Sequence, residues 1–235
     1  MSAKTTLHFI RHGDAIPEPG AAFDATTGYD VLGLSAKGVV QARALAARMA
    51  ATTELGAIYA SPTLRARETA EAVAAATGLD VRLDPRVREV YLGSESVEHV
   101  PAADRARIVK ERLASLAVIA IRDGSWAAVP GVEPGSEVRA RMLAAVDEIV
   151  ASHPDQQVAI VSHAGSINAY LAAILGISRD FFFPIGNTSI NSVRVAEGGP
   201  LLMRLNDTAH LERGPWSSGA EPGIAAQRGA ASTPA

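Results

Sequence analysis

Short apolar runs alternate with amphipathic stretches along the chain. Residues 5–11 form a mostly apolar run that predicts a strand ending in Arg11-His12-Gly13. A polar loop bearing glycine and proline follows, over 14–33. Ser35 is placed to cap a helix running to about Thr52, with Val39, Ala42, Leu45, Ala46 and Met49 on one face. Residues 57–60 predict a second strand. Ser61-Pro62 predicts a helix start, with serine as the cap and proline in the first helical position. That helix continues to Ala76 and stops at Gly78, a third strand follows over 80–83, and the next loop carries Glu89. Ser136 is placed to cap a helix to about Ser152, and 157–162 is an apolar strand. Ala164-Gly165 opens a further helix that ends at Gly176. Residues 189–195 and 201–206 flank Glu197-Gly198-Gly199-Pro200 and predict a hairpin.

Residues 94–135 break this rhythm. A helix over about 102–122, striped by Val109, Leu113, Leu116 and Ala120, is followed by a proline- and glycine-rich stretch from Val129. It reads as a cap inserted into one main domain over 1–211. From 212 to 235 the chain offers little to bury and reads as a disordered tail.

Strands alternating with helices predict an α/β fold: three layers, α/β/α, around a mainly parallel sheet with a late antiparallel edge hairpin and a small helical cap. Open parallel sheets bind ligands beyond the carboxyl ends of their strands. Arg11 and His12 end the first strand, Ser61 and Arg65 follow the second, Glu89 the third, and His163 ends the fourth. One sheet edge therefore gathers two histidines, two arginines and a carboxylate.

Composition narrows the chemistry available to that edge. There are six histidines and no cysteine, which excludes disulfides, thiolate metal sites and a cysteine nucleophile. The formal net charge of −3 gives no sign of nucleic-acid binding. Apart from Lys4, Lys37 and Lys110 every basic residue is arginine, the side chain suited to forked phosphate or carboxylate contacts, though base composition of a genome gives the same bias. The longest apolar run, 113–121, falls short of the roughly 20 residues a bilayer span needs. No signal peptide is legible, so the cytoplasm is the expected compartment and no membrane partner is expected.

Two histidines and two arginines without metal-ligand spacing point to a phosphate pocket. Arginines give permanent forked donors, and helix starts after Ser61 and His163 add N–H groups and positive dipole ends. One histidine must be neutral to attack phosphorus, and the other can be the cation that stabilises the equatorial oxygens. Glu89 is the available acid for the leaving oxygen. No cofactor and no metal are called for. His8 and His12 are four apart, but on a strand that spacing clamps no zinc.

Arg11-His12-Gly13 resembles the signature of the histidine phosphatase superfamily, which includes the phosphoglycerate mutases. The segment Ser61-Pro62-Thr63-Leu64-Arg65-Ala66-Arg67-Glu68-Thr69-Ala70 resembles its second arginine motif, and Arg88-Glu89-Val90-Tyr91-Leu92-Gly93 its acid-bearing loop. Gly135-Ser136-Glu137, Val161-Ser162-His163-Ala164-Gly165 and Gly186-Asn187-Thr188-Ser189-Ile190 match further elements in order, over roughly 5–210. The resemblance implies that His12 becomes the phosphohistidine, that Arg11, Arg65 and His163 bind the phosphoryl group, and that Glu89 protonates the leaving group and then activates water. It also implies that Ala164 and Gly165 make room for the phosphate or donate backbone N–H to it. Asp14 stands where Glu or Gln is common, Glu18 where asparagine is common, Ala164 where glycine is common, and Ser94-Glu95-Ser96 replaces a Trp-Glu-Gly-like element.

The expectation is thus a metal-independent phosphomonoesterase acting on a small phosphorylated metabolite, with a homodimer left open. A phosphoglycerate mutase and a non-catalytic phospho-ligand binder are the alternatives. His99 and His153 read as solvated, His210 has no assignable role, and Asn187 reads as satisfying backbone at a strand end. Trp126 and Phe181 to Phe183 read as packing.

Overall fold

The central strands are apolar on both sides, which demands a helical layer on each face of the sheet. In β1 (Thr5–Arg11), Leu7 and Phe9 face one way and Ile10 the other. In β4 (Gln157–Ser162), Val158 and Ile160 alternate in the same manner with Ala159 and Val161. The computed structural model describes residues 4–15, 32–91, 118–119, 122–126 and 131–212. Within them six strands form one sheet in the order β3-β2-β4-β1-β5-β6. Here β2 is Leu55–Ala60, β3 Val81–Leu83, β5 Ile190–Ala196 and β6 Gly199–Asp207.

β1 to β4 run parallel, β5 pairs antiparallel with β1, and β6 pairs antiparallel with β5. Helices α1 (Ala36–Thr52) and α2 (Leu64–Thr77) cover one face, packing Leu45, Met49, Ala66, Ala70 and Val73 against Ile10, Ile58 and Val161. Helices α3 (Gly135–Ser152) and α4 (Ala164–Leu175) cover the other, packing Val138, Met142, Ile149, Ile167 and Tyr170 against Leu7, Phe9, Val158 and Ile160. This is the expected three-layer α/β fold with its late antiparallel hairpin.

Several expected boundaries shift. Ser35 does cap α1, its Oγ accepting from Gly38 N. Val39 is more exposed than expected, and Gln41 takes a buried place because its Oε1 accepts from Asp14 N. α2 starts at Leu64 with Thr63 at the cap, not at Pro62 with Ser61 as the cap. α3 starts at Gly135 with Pro134 at the cap, so Ser136 is already helical. Residues 118–119 and 122–123 are helical. The rest of the expected cap helix and the tail from 213 lie outside the described residues, as do Glu18, Ser94-Glu95-Ser96 and His99. Among the described residues no helix is long and apolar enough to cross a membrane.

Candidate active site

Strand order explains why two histidines so distant in sequence meet. β1 and β4 are neighbours in parallel register, with Arg11 opposite Ser162. The residues that leave these strands, His12 and His163, therefore stand side by side, with ring centroids 5.0 Å apart at 60°. The ladder runs on past the strand end, since His12 N donates to Ser162 O at 3.0 Å. β2 lies on the other side of β4, so the loop after it brings Ser61, Thr63 and Arg65 to the same edge.

Arg65 is fully buried and bridges the two imidazoles. Its Nε donates to His12 Nε2 at 3.2 Å, and its Nη2 lies 3.3 Å from His163 Nδ1. His12 Nδ1 lies 2.7 Å from Gly13 O, a carbonyl that can only accept. The proton of His12 is thus on Nδ1, and the lone pair of Nε2 faces the arginine. His163 Nε2 donates to Ser61 Oγ at 2.9 Å, which fixes the opposite tautomer, with Nδ1 as the acceptor. Ser61 Oγ in turn donates to Thr63 Oγ1 at 3.3 Å.

Burial holds the His12 pKa well below its ordinary 6.5, with Arg65 and Arg11 adding to the effect. His163 is lowered likewise, by burial first, then Arg65, His12, Arg11 and Arg141. Both imidazoles are thus pushed toward the neutral form, by burial first and by the Arg65 guanidinium between them second. Arg11 donates from Nη1 to Ile185 O, while its Nε is buried without a partner among the described residues.

Glu89 enters from the loop after the short 3₁₀ turn Pro85–Val87. As a residue it is half-buried, but its carboxyl lies deep enough that desolvation raises its pKa above 4.5, against the lowering effect of the Val90 N–H, Arg65 and Arg11. Its Oε1 accepts from Val90 N at 2.9 Å and from Ser166 N at 3.3 Å. The first turn of α4 is therefore turned to Glu89 through the Ser166 N–H. Ala164 opens α4 next to His163 and is partly exposed.

The segment around His12 is held from three sides. Gly13 N donates to Thr69 Oγ1 of α2 at 3.0 Å. Ser35 N and Oγ donate to Asp14 O and Oδ2 at 2.8 and 2.6 Å. α1 lies so close that a Cβ on Gly38 would sit 2.0 Å from Asp14 O. On the third side, Thr188 N donates to Arg11 O at 2.9 Å and Asn187 Nδ2 to His12 O at 3.0 Å. Asn187 thus satisfies backbone, as its position suggested. Thr188 takes φ 55, a strained conformation for a β-branched residue. Its Oγ1 lies 3.0 Å from His210 Nε2. Burial and Arg48 lower the His210 pKa to about 4, against the raising effect of Asp207, so it braces this turn as a neutral ring.

Sequence reasoning did not find Thr63, Thr69, Thr188 or Ser166, whose partners lie far along the chain. His153 also departs from expectation: it is buried, with Nδ1 2.8 Å from Gln156 Oε1 and Nε2 3.0 Å from the Tyr59 hydroxyl. His8 is buried between Ser192 Oγ and Gln157 Oε1, at 2.9 and 3.0 Å. Trp126 packs edge-on against Phe181, as expected of packing residues. Among the described residues no group of three or more His, Asp or Glu side chains is placed to hold a metal ion.

The model of the histidine phosphatase superfamily, branch 1, matches residues 7–208. The chain belongs to this superfamily. It is 27% identical over 214 residues to phosphoserine phosphatase 1 of Hydrogenobacter thermophilus, across 87% of this chain and 93% of the relative. It is 30% identical over 213 residues to a probable phosphoglycerate mutase of an Enterobacter strain, across 88% of this chain and 94% of the relative. Among solved structures, a mycobacterial glucosyl-3-phosphoglycerate phosphatase in complex with inorganic phosphate aligns with a TM-score of 0.65 at 28% identity. That alignment covers 88% of this chain and 99% of the neighbour. The histidine phosphatase superfamily thus supplies the name for a site whose parts were already assembled by strand order.

Proposed function

We propose that this histidine phosphatase hydrolyses a small phosphomonoester without a metal, through a phosphohistidine on His12. The phosphatase class itself follows from the family and from the phosphatases among its relatives and neighbours. The single observation that carries the mechanism is the placement of His12 Nε2. Its lone pair is held unprotonated, 3.2 Å from Arg65 Nε, at the point where two arginines and a second histidine converge.

The phosphoryl group of the substrate binds to Arg11, Arg65 and His163, with Ala164 beside it. The dianion offsets the guanidinium charges that keep His163 neutral and thereby favours its protonation. His12 Nε2 attacks phosphorus in line and the ester P–O bond breaks, the leaving oxygen taking the proton of Glu89. The Glu89 carboxylate then takes a proton from water, whose oxygen attacks the phosphohistidine, and inorganic phosphate leaves with His12 restored. The raised pKa of Glu89 suits a group that must begin protonated.

The test is phosphate release from a panel of phosphomonoesters. Activity should survive EDTA, and His12→Ala should abolish turnover. Glu89→Gln should slow alkyl esters by about a hundredfold or more, and nitrophenyl phosphate far less, because nitrophenolate departs without a proton. Loss of activity with the chelator, or appreciable activity in His12→Ala, contradicts the reading. The relative named as a probable phosphoglycerate mutase favours a second reading, transfer to a second hydroxyl instead of water. Interconversion of phosphoglycerates without phosphate release would decide for it.

A further inference from the structure

Glu89 sits on a stretch, 88–91, that belongs to no strand or helix. Nothing in the sheet holds it, yet its backbone is densely bonded by two charged side chains from elsewhere. Arg141, on α3, donates from Nη1 to Arg86 O at 2.6 Å and to Arg88 O at 2.8 Å. Its Nη2 donates to Glu89 O at 3.1 Å. Nε and Nη2 of the same guanidinium hold Glu133 Oε1 and Oε2 at 2.8 and 3.1 Å. Glu133 then grips both sides of Glu89. Arg88 Nη1 and Nη2 donate to its two oxygens at 2.8 and 3.0 Å, and Tyr91 N donates to Oε2 at 3.0 Å. The backbone closes the clasp, Glu133 N donating to Tyr91 O at 2.8 Å.

Both side chains are largely out of water, at 13% and 6% exposure. A buried ion pair gives little net stability over apolar packing, so its retention here calls for another reason. Burial alone would raise the Glu133 pKa, but Arg141, Arg88 and the Tyr91 N–H hold it at about 2, so the clasp keeps its charge across the working range. The position of these bonds supplies the reason. Every backbone group they reach lies within 86–91, around the proposed acid, and α4 completes the frame through Ser166 N on Glu89 Oε1.

Resting on the reading of Glu89 as the acid, we propose that Glu133 and Arg141 are positioning residues that set where the Glu89 carboxyl meets the leaving oxygen. Lysine at 141 keeps the charge but lacks the planar fork that reaches three carbonyls and a carboxylate at once. Glutamine at 133 keeps the shape and drops the charge.

The experiment compares kcat/KM for an alkyl phosphomonoester and for nitrophenyl phosphate in the full chain, Arg141→Lys, Glu133→Gln and Glu89→Gln. Arg141→Lys should lose about ten- to a hundredfold on the alkyl ester and stay within about threefold on nitrophenyl phosphate, since a displaced acid matters only where a proton is needed. Glu133→Gln should show a smaller loss with the same selectivity. Equal losses on both substrates, no loss on either, or failure of both variants to fold would make the pair merely structural and overturn the inference. If Glu89→Gln itself lacks selectivity, the acid assignment falls and this inference with it. Selectivity in Glu89→Gln but not in the other two variants overturns the positioning role alone.

Discussion

His12 and His163 are buried without charge, and that costs the protein stability in acid. Their folded pKa values lie well below 6.5, so the unfolded chain binds protons that the folded one refuses. The stability these groups contribute is present above pH 6.5 and is lost as pH falls from there toward their folded values. Glu89 has the opposite sign: its raised pKa favours the fold below 4.5 and loses that contribution as pH rises through the folded value. Denaturant unfolding at neutral pH and near pH 5 should show a drop that shrinks in His163→Gln. An unchanged drop in that variant would locate the acid sensitivity elsewhere. The charge states were only half legible in the sequence. Neighbouring arginines implied a neutral nucleophile, but that Arg65 lies against both rings is a fact of strand adjacency, not of spacing.

Among the elements, α4 joins His163 to Glu89. His163 stands at its cap position and the Ser166 N–H in its first turn bonds Glu89. Gly165 makes this contact possible, because a Cβ there would lie 2.6 Å from Val90 Cγ2 and 2.7 Å from Glu89 Oε1. Gly165→Ala gains roughly 1 kcal/mol of helix propensity. It loses about 1–3 kcal/mol to the clash. Net stability should therefore fall by about 0–2 kcal/mol, while alkyl ester turnover falls well below that of nitrophenyl phosphate. Paired denaturation and kinetic measurements check this, and a variant that unfolds without losing selectivity for either ester would contradict it. The helices themselves were legible from periodicity, but two of their starts were misplaced. Ser61-Pro62 has the residue types of a helix start. Ser61 is instead bonded to His163, across β2 and β4, and the helix begins after Thr63.

For the molecule as a whole, the sheet order converts separate motifs into one site. Alternating apolar runs were enough to predict the layers, the parallel strands and the late hairpin. They could not place β4 between β2 and β1, the insertion that makes His12 and His163 neighbours. The five central side chains, Arg11, His12, Arg65, Glu89 and His163, were legible because each ends or follows a strand. Their supports were not, since Arg141, Glu133 and Thr188 act through backbone groups, and His210 through the Thr188 hydroxyl, that no motif marks. The most direct test of the whole account is to mix the protein with a phosphomonoester, quench within a turnover in alkali and locate the label by peptide mass spectrometry. A phosphoryl group on His12, stable in alkali, lost in acid and absent from His12→Ala, is the expected result. No phosphoenzyme during rapid turnover, or a label on another residue, would contradict it.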